Sequence, residues 1–465
     1  MWSELNHLLS AHNYSLSDIA LIQRARDVAA KAHDGQKRAS GDPYINHPVA
    51  VATNLIAIKL DTPAIAAALL HDVGKNTFIT SEKIRRDFGE EIAFLVEGVS
   101  NIKKIRYRET QRALEPLRNM FIATAKDARV ILIQLYDRLH NMQTLSSLSP
   151  EKQKRAAKET LELYAPIADR LGMGELKGQL EDLAFPFVYP KEYRWLTKEH
   201  AMRAEKLKHY LQKLMPIVCK HLLKARVPFI NAHARVKHLY SLWQKLPRYD
   251  MNFEGIYDIT AVRIIVPAIE DCYAALGIIH HHWRPLPGRI KDYIALPKPN
   301  GYQSLHTTVF AQHHRMVEFQ IRTPEMHEHA EFGIAAHWAY KENVKPRDWQ
   351  KEGKEFFSDR VFALTPKGEV FDLPQGATPL DFAYHVHSEI GNHMTGAKIN
   401  GKLVAFGQEL SSGDTVEILT HHRAKPKAEW RERARTTLAR RQIRAELRKL
   451  GVKMPQKRKT KTLRA

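Results

Sequence analysis

The sequence predicts a multidomain protein: an all-α domain, an α+β domain built on a mixed sheet, then a small β-rich module with a basic helical tail. In the first 195 residues, segments such as TPAIAAALLHDVG repeat apolar positions every three or four residues. From about residue 231, runs such as YDITAVRIIV and MVEFQIRT are rich in β-formers. The hydrophilic segment 341–355 precedes two short strands around a Pro-Lys-Gly turn. We therefore expect domains at 1–195, 196–341 and 358–421, a linker at 342–357 and a tail at 422–465.

The composition excludes several classes of protein. A chain of 465 residues can form several domains of about 100–200 residues each. No stretch approaches the roughly 18–20 apolar residues of a membrane span, and the N-terminus lacks the pattern of a signal peptide. Cys219 and Cys272 are too few for a disulfide framework or a four-cysteine zinc site. We therefore expect a cytoplasmic protein with no membrane partner.

The positive charge of the chain is concentrated near its C-terminus. The formal net charge is +21, and residues 421–465 carry 17 Lys and Arg against three Glu, a net +14. Such density is typical of a surface that binds RNA or another polyanion, because each neutralised phosphate releases condensed counterions. A solvated end that binds nothing in particular has the same composition, so both interpretations stay open.

Four side chains of the helical domain can form a metal site. His71 and Asp72 are adjacent at the end of an apolar helix, with His47 upstream in YINHP and Asp137 downstream in YDRLHN. Two imidazoles and two carboxylates can bind one divalent transition metal, and this mixed set favours Mn, Fe or Zn over Mg. A lone His-Asp pair is more often a satisfied helix end. The spacing of all four favours the metal site.

Cationic side chains are dense in the α+β domain, as a polyphosphate ligand requires. They are Arg235, Lys237, Lys245, Arg289, Lys291, Lys298 and His306. A charged solvent face is the alternative, but strand alternation argues against it. In VEFQIR, the apolar residues share one face, and Glu318, Gln320 and Arg322 share the other.

Two carboxylates of this domain are candidates for catalysis. Transfer of a phosphate-containing group to a hydroxyl needs cationic donors, a carboxylate for Mg²⁺ and an acid-base group near the attacking oxygen. Asp258 and Glu318 are suitably placed. Arg263 lies five residues after Asp258, on the opposite face unless the strand starts late or bulges. Spacing alone therefore does not assign Arg263.

The motifs of the helical domain resemble a known superfamily. AHDGQKRASGDPYINHP and LYDRLHNMQTL resemble the HD phosphohydrolases, and specifically the hydrolase domain of RelA/SpoT homologues. The resemblance implies that the four residues above bind Mn²⁺ or another divalent transition metal. It also implies that a nucleotide pocket is lined by Lys37, Arg38 and Asn141.

The chain departs from this family at one point. Family hydrolases usually read HDVVEDT, whereas this chain has Lys75 and Asn76 where the Glu and Asp stand. A charged lysine cannot accept the proton of an attacking water, which predicts weakened or absent hydrolysis. In other HD phosphohydrolases, however, a lysine after the His-Asp pair can contact a phosphate oxygen, so a working hydrolase is the alternative.

The α+β domain resembles the nucleotidyltransferase-like alarmone synthetase domain of RelA/SpoT homologues. HARVKHLYS, IYDITAVR, PGRIKDYIALPKPNGYQSLHTTV, VEFQIRT and EMHEHAEFGIAAHWAYK match it over about residues 230–341. The resemblance implies catalytic roles for Asp258 and Glu318 at a Mg²⁺ site, and stacking of guanine on Tyr302. The implied nucleotide contacts, to ATP, GDP or GTP and (p)ppGpp, are Arg235, Lys237, Lys245, Lys291, Lys298, Asn300, His306, Gln320 and Arg322.

The C-terminal module resembles the TGS domain, a small β-grasp-like fold that helps long family members sense uncharged tRNA. Those members have a histidine directly after a glycine, whereas here Asn392 follows Gly391 and His393 comes next. A tRNA or ribosome partner is therefore an open expectation. Long homologues continue with further regulatory domains, so we expect different regulation.

The motifs together predict a GTP diphosphokinase, that is, a (p)ppGpp synthetase of the stringent response. The basic motif RIKD is the form found in bifunctional members, although the hydrolase carboxylates are missing. Two alternatives remain: a Mn-dependent (p)ppGpp 3′-pyrophosphohydrolase and a non-catalytic RNA-binding regulator.

Overall fold

A computed structural model describes residues 2–12, 14–76, 79–104, 127–249, 251, 260–298, 300–311, 315–339, 360–366 and 370–451. The predicted linker and Asp258 lie outside these ranges. The chain divides into two compact units, residues 1–96 with 132–343, and residues 97–131 with 344–465. Within the described residues, no helix has the length and apolarity that crossing a membrane requires.

The helical domain is confirmed as all-α. Its helices are α1 (Trp2–Ala11), α2 (Leu16–Ala32), α3 (Asn46–Ala57), α4 (Thr62–Leu70), α5 (Val73–Asn76), α6 (Ser81–Phe88), α7 (Glu90–Lys104), α8 (Ala128–Gln143), α9 (Pro150–Glu159), α10 (Ala165–Arg170), α11 (Gly174–Val188) and α12 (Pro190–Lys224). A π-helical turn, Thr160–Tyr164, joins α9 to α10.

Helix α4 is a buried helix of this domain, and the His-Asp pair lies at its C-terminal end. Its N-terminus is set by Asp61, whose side chain accepts a hydrogen bond from the Ala64 amide, and by Pro63 in the first turn. The helix is apolar all round and almost completely buried, as expected of a core helix. It ends at His71, so the His-Asp pair lies in the interior and not at the surface.

The next domain has a five-stranded mixed sheet in the order β1-β2-β5-β4-β3. Its strands are β1 (Asn231–Val236), β2 (Thr260–Ile265), β3 (Lys291–Asp292), β4 (Leu305–Phe310) and β5 (Met316–Arg322). Its helices are α13 (Leu239–Lys245), α14 (Ile269–His282), α15 (Pro324–Phe332) and α16 (Ile334–Ala339). Only the β2–β5 pair is parallel.

Strand alternation gives this sheet one apolar and one polar face. The apolar face, which includes Val262, Ile264 and Phe319, packs with α14 and the C-terminal half of α12 into one core. The opposite face carries most of the polar side chains of β1, β2, β4 and β5, among them Arg263 and Gln320. This face is therefore the one that can build a site.

The C-terminal unit contains a small β-rich module, as predicted. Its elements are β6 (Arg360–Leu364), β7 (Val370–Pro374), α17 (Pro379–Val386), α18 (Ser388–Asn392), β8 (Met394–Ile399), β9 (Lys402–Val404), β10 (Val416–Thr420), α19 (Trp430–Arg433) and α20 (Thr437–Lys449). Strands β6 and β7 form a hairpin, and the other three form a sheet in the order β10-β8-β9.

Much of the predicted tail belongs to this module. Trp430, Ile443 and Leu447 are buried in one cluster with Leu380 of α17. The Asp381 carboxylate accepts hydrogen bonds from the amides of residues 435 and 436, at 2.7–3.1 Å. Helices α19 and α20 are therefore packed elements, while residues 452–465 lie outside the described residues.

Candidate functional site

The polar face of the five-stranded sheet carries a row of side chains in register. Across the strands in sheet order, His233, Arg263, Gln320, His306 and Lys291 are successive pairing partners. Residues in register on neighbouring strands lie side by side on the same face. Five side chains that are distant in sequence thus form one polar stripe.

A cavity of about 280 Å³ lies over this face. It contains every described side chain that sequence reasoning assigned to the nucleotide site. They are Arg235, Lys237, Lys245, Lys291, Lys298, Asn300, Tyr302, His306, Glu318, Gln320 and Arg322. Asp258 lies outside the described residues, and Arg289 does not line the cavity.

Tyr302 is held by hydrogen bonds at the centre of the cavity. Its hydroxyl lies 2.8 Å from His306 Nε2 and accepts a hydrogen bond of 2.9 Å from Arg322 Nη2. The Lys298 ammonium lies 4.6 Å from the centre of the Tyr302 ring, a cation–π contact. Burial lowers the pKa of Arg322 to about 10, so this guanidinium stays charged at neutral pH. A base that stacked on the ring face covered by Lys298 would displace that ammonium.

Glu318 is connected to the same network. Its Oε1 atom accepts a hydrogen bond of 2.9 Å from Gln320 Nε2 and lies 3.2 Å from His306 Nδ1. Burial lowers the pKa of His306, which favours the neutral ring. A continuous path of polar contacts therefore runs from Glu318 through His306 to Tyr302.

Arg263 and Glu331 also line the cavity, although neither was assigned from the sequence. Arg263 is almost completely buried, and its Nη1 atom lies 2.8 Å from Glu331 Oε1 of α15. Alternation counted from Asp258 left the face of Arg263 open, and the pairing of Arg263 with Gln320 places it on the polar face. The available signal was a single arginine within the apolar run TAVRII.

The helical domain supplies one wall of this cavity through Asp169, Gly172 and Gly174. Asn300 Nδ2 donates to the Asp169 carbonyl at 3.1 Å, and the Ile334 amide donates to the Leu171 carbonyl at 2.9 Å. The loop that carries Tyr302 is therefore attached to the α10–α11 turn.

A partly buried histidine, His238, strengthens the attachment between the two domains. His238 Nδ1 lies 2.9 Å from Asp182 Oδ2, and its Nε2 lies 3.4 Å from Glu175 Oε2. Burial alone would lower the pKa of His238, but its hydrogen bonds to these carboxylates outweigh burial and raise the pKa to about 9. His238 is thus an imidazolium between two acidic side chains of α11.

The four predicted metal ligands converge in the helical domain. His47, His71, Asp72 and Asp137 are all buried, and one ligand atom from each lies within 4.8 Å of the others. The His71 Nδ1–H donates to the Ala68 carbonyl at 2.6 Å, which leaves the Nε2 lone pair for a metal. Two imidazole nitrogens and two carboxylate oxygens in a buried cluster fit a divalent transition metal.

Hydrogen bonds from neighbouring side chains hold these ligands in place. Arg38 Nη2 donates to Asn141 Oδ1 at 2.7 Å, and Asn141 Nδ2 donates to Asp137 Oδ1 at 3.0 Å. Tyr44 donates to Asp72 Oδ2 at 3.0 Å, a contact that sequence reasoning missed. His140, also missed, adjoins His47. Arg38 and Asn141 thus lie at the cluster.

Three other residues belong to the predicted hydrolase pocket. Lys37 is exposed, and its backbone pairs with that of Pro43. Lys75 and Asn76 belong to the short helix α5, directly after the His-Asp pair, but their side chains lie outside the described residues.

His393, which follows Gly391 and Asn392 in the C-terminal module, makes a contact within that module. His393 Nδ1 lies 3.0 Å from the Ala424 carbonyl, while the Tyr384 hydroxyl donates to Asn392 Oδ1 at 3.0 Å. Helix α20 presents an exposed arginine face, which we define as Arg441, Arg444 and Arg448. Within the described part of the chain, this arginine face makes no ion pair.

Three family profiles match the chain in the order of its domains. The HD domain matches residues 25–174, the region found in RelA / SpoT proteins matches residues 234–345, and the TGS domain matches residues 361–420.

Curated relatives match across almost the whole chain. The guanosine-3′,5′-bis(diphosphate) 3′-pyrophosphohydrolase of Aquifex aeolicus is 47% identical, over 92% of this chain and 64% of the relative. The GTP pyrophosphokinase of Streptomyces coelicolor is 44% identical, over 92% of this chain and 56% of the relative. The bifunctional (p)ppGpp synthase/hydrolase SpoT of Escherichia coli is 42% identical, over 97% of this chain and 68% of the relative. The chain thus spans less than two thirds of the first two relatives, and it belongs to the RelA/SpoT family.

Proposed function

We propose that the chain transfers pyrophosphate from ATP to the 3′-hydroxyl of GDP or GTP and so produces (p)ppGpp. The observation that carries this proposal is the cavity over the polar face of the sheet, which Glu318, Tyr302 and the cationic side chains line together. Relatives named GTP pyrophosphokinase and (p)ppGpp synthase support it.

The reaction needs little covalent chemistry from the protein. The 3′-oxygen attacks the β-phosphorus of ATP, the bond from that phosphorus to the α,β-bridging oxygen breaks, and AMP leaves. Arg235, Lys237 and Lys245 would bind the phosphates, and Glu318 would accept the proton of the 3′-hydroxyl. Asp258 and Glu318 would hold Mg²⁺, which would neutralise charge on the transferred group. Tyr302 would stack on the guanine, a contact typically of about 1–3 kcal/mol.

A second activity, hydrolysis of the 3′-pyrophosphate of (p)ppGpp, is favoured by the buried His-Asp cluster. The cluster would hold Mn²⁺, and a divalent metal there would lower the pKa of a coordinated water and polarise the phosphate. Arg38 and Asn141 would orient ligands and nucleotide. Because Lys75 and Asn76 replace the usual carboxylates, we propose that hydrolysis is weaker than in relatives that keep them.

We further propose that the C-terminal unit binds tRNA or ribosomal RNA through phosphates. The supporting observation is the arginine face of α20, which is held on the small β-rich module by the buried side chains of the same helix. Guanidinium groups suit phosphate binding because they donate two parallel hydrogen bonds.

The synthetase proposal can be tested with γ-labelled ATP, Mg²⁺ and GDP or GTP. Wild type should transfer label to the guanine nucleotide, and Glu318→Gln and Asp258→Asn should each lower the rate by about 100-fold or more. Glu270→Gln is a matched control, since Glu270 is exposed in the first turn of α14. Retention of more than roughly a tenth of the wild-type rate by both variants would contradict the assignment.

A further inference from the structure

His140 adjoins the His-Asp cluster but is not one of its four ligands. It lies on α8, three residues after Asp137, so both point to the same side of the helix. Its Nδ1 atom is 3.0 Å from Arg38 Nη1 and 2.9 Å from His47 Nδ1. One nitrogen of His140 therefore faces both a guanidinium and a ligand imidazole.

The guanidinium determines which hydrogen bonds this nitrogen can make. An arginine N–H group can only donate, so His140 Nδ1 must present its lone pair to Arg38. The same lone pair faces His47 Nδ1, which must then carry the hydrogen. A neutral imidazole with its hydrogen on Nδ1 keeps a lone pair on Nε2. The Nε2 atom of His47 lies 2.8 Å from Asp137 Oδ1 and 3.7 Å from Asp72 Oδ2, so with the hydrogen on Nδ1 its lone pair faces carboxylate oxygens, an arrangement that a cation shared by these atoms would stabilise.

The Nδ1–H groups of the two ligand histidines have different hydrogen-bond acceptors. His71 donates from Nδ1 to a backbone carbonyl of its own helix, which no side-chain substitution removes. For His47 Nδ1, the side chain of His140 is the hydrogen-bond partner in the part of the chain that the structure describes. The orientation of His47 therefore depends on a side chain.

We propose that His140 is a positioning residue: held as an acceptor by Arg38, it fixes the His47 ring with its Nε2 lone pair toward the metal centre. This inference rests on the proposed metal site. Arg38 would then hold two metal ligands in place, because the same guanidinium also donates to Asn141, which in turn donates to Asp137. Removal of a residue that hydrogen-bonds a metal ligand typically weakens metal binding by about 10–100-fold.

Two substitutions separate positioning from simple packing. His140→Asn keeps an acceptor close to the position of Nδ1, whereas His140→Leu removes it and keeps a side chain of similar size at this partly buried position. Mn²⁺ affinity of the full chain is measured by equilibrium dialysis, and thermal unfolding with EDTA reports the integrity of each variant. We expect His140→Leu to weaken Mn²⁺ binding by about 10–100-fold and His140→Asn to restore most of it.

Each outcome has a defined meaning. Wild-type affinity in His140→Leu would overturn the proposal, and so would equal weakening in both variants, because a packing role predicts that. If His140→Leu does not fold, the Mn²⁺ affinities of wild type and His140→Asn are compared. A loss of affinity of more than about tenfold in His140→Asn would contradict an acceptor role. A wild-type chain that binds no Mn²⁺ would remove the metal site and this inference together, but it would leave the synthetase proposal intact.

Discussion

Gly333→Ala should detach the synthetase-type domain from the α10–α11 turn. Gly333 has φ +55°, and a Cβ there would lie 1.9 Å from the Leu171 carbonyl oxygen and 2.6 Å from the Gly172 carbonyl carbon. Both obstacles are backbone atoms, which cannot rotate away. The turn and the start of α16 must therefore separate, and the hydrogen bond from the Ile334 amide to Leu171 must break.

The size of the effect follows from two contributions. Gly333 combines φ +55° with ψ −130°, a conformation that residues with a Cβ rarely adopt, and holding an L-residue there costs about 1–3 kcal/mol. Ile334 is almost fully buried, and leaving its amide without an acceptor costs about 1–3 kcal/mol. A total near 3 kcal/mol corresponds to about a 100-fold change in the local opening equilibrium, since about 1.4 kcal/mol is a factor of ten.

Hydrogen exchange measures this opening directly and does not require the whole chain to unfold in two states. A peptide covering residues 332–336 should exchange about 100-fold faster in Gly333→Ala than in wild type. Gly277→Ala is the matched control, because Gly277 is exposed within α14 and a Cβ there meets no atom within 4 Å. Equal exchange of the peptide in all three proteins would refute the reasoning.

Three further predictions concern the helical domain, the attachment between domains and the RNA surface. Lys75→Glu with Asn76→Asp should raise Mn²⁺-dependent release of pyrophosphate from (p)ppGpp; a slower double variant would mean that the lysine assists hydrolysis. Because the pKa of His238 is raised to about 9 between Glu175 and Asp182, its stabilisation is complete below about pH 6.5 and disappears as pH rises through 9. The unfolding midpoint of His238→Asn should therefore fall below wild type at pH 6 and approach it at pH 10, and a constant gap would contradict this. Changing the arginine face to serines should weaken tRNA binding and lower the slope of log K against log salt by about 0.7–0.9 for each phosphate that the variant no longer neutralises, whereas identical salt curves would exclude that face.

Patterns local in sequence predicted much of the architecture and the candidate site. Alternation within β5 placed Glu318, Gln320 and Arg322 on one face, because a strand repeats every two residues. The apolar run of α4 indicated a buried helix that ends at His71. These predictions depend on spacing along one element, which the sequence displays directly.

Pairing between elements could not be predicted in the same way. Arg263 reaches the cavity because of its register with Gln320, and Glu331 reaches it because of the way α15 packs. The wall formed by Asp169 depends on the docking of two domains. Register and docking are determined by residues that are distant in sequence, so no local pattern specifies them.

Some missed features did have a local signal. His140 follows Asp137 by three residues on one helix, a spacing that places both at the same site. In the tail, Ala439, Ile443 and Leu447 repeat every four residues, an apolar stripe that the count of charges concealed. The count of charges therefore indicates only the exposed face of α20, whereas the apolar repeat of four residues indicates its buried face.

The identity of the products tests the central claim most directly. The wild-type chain is incubated with ATP, GDP and Mg²⁺, and all nucleotides are separated and quantified. Transfer of pyrophosphate predicts equal amounts of AMP and ppGpp, and neither product should form in Glu318→Gln. Formation of ADP and GTP would indicate transfer of a single phosphoryl group, and it would contradict the account, as would consumption of ATP without a change in GDP.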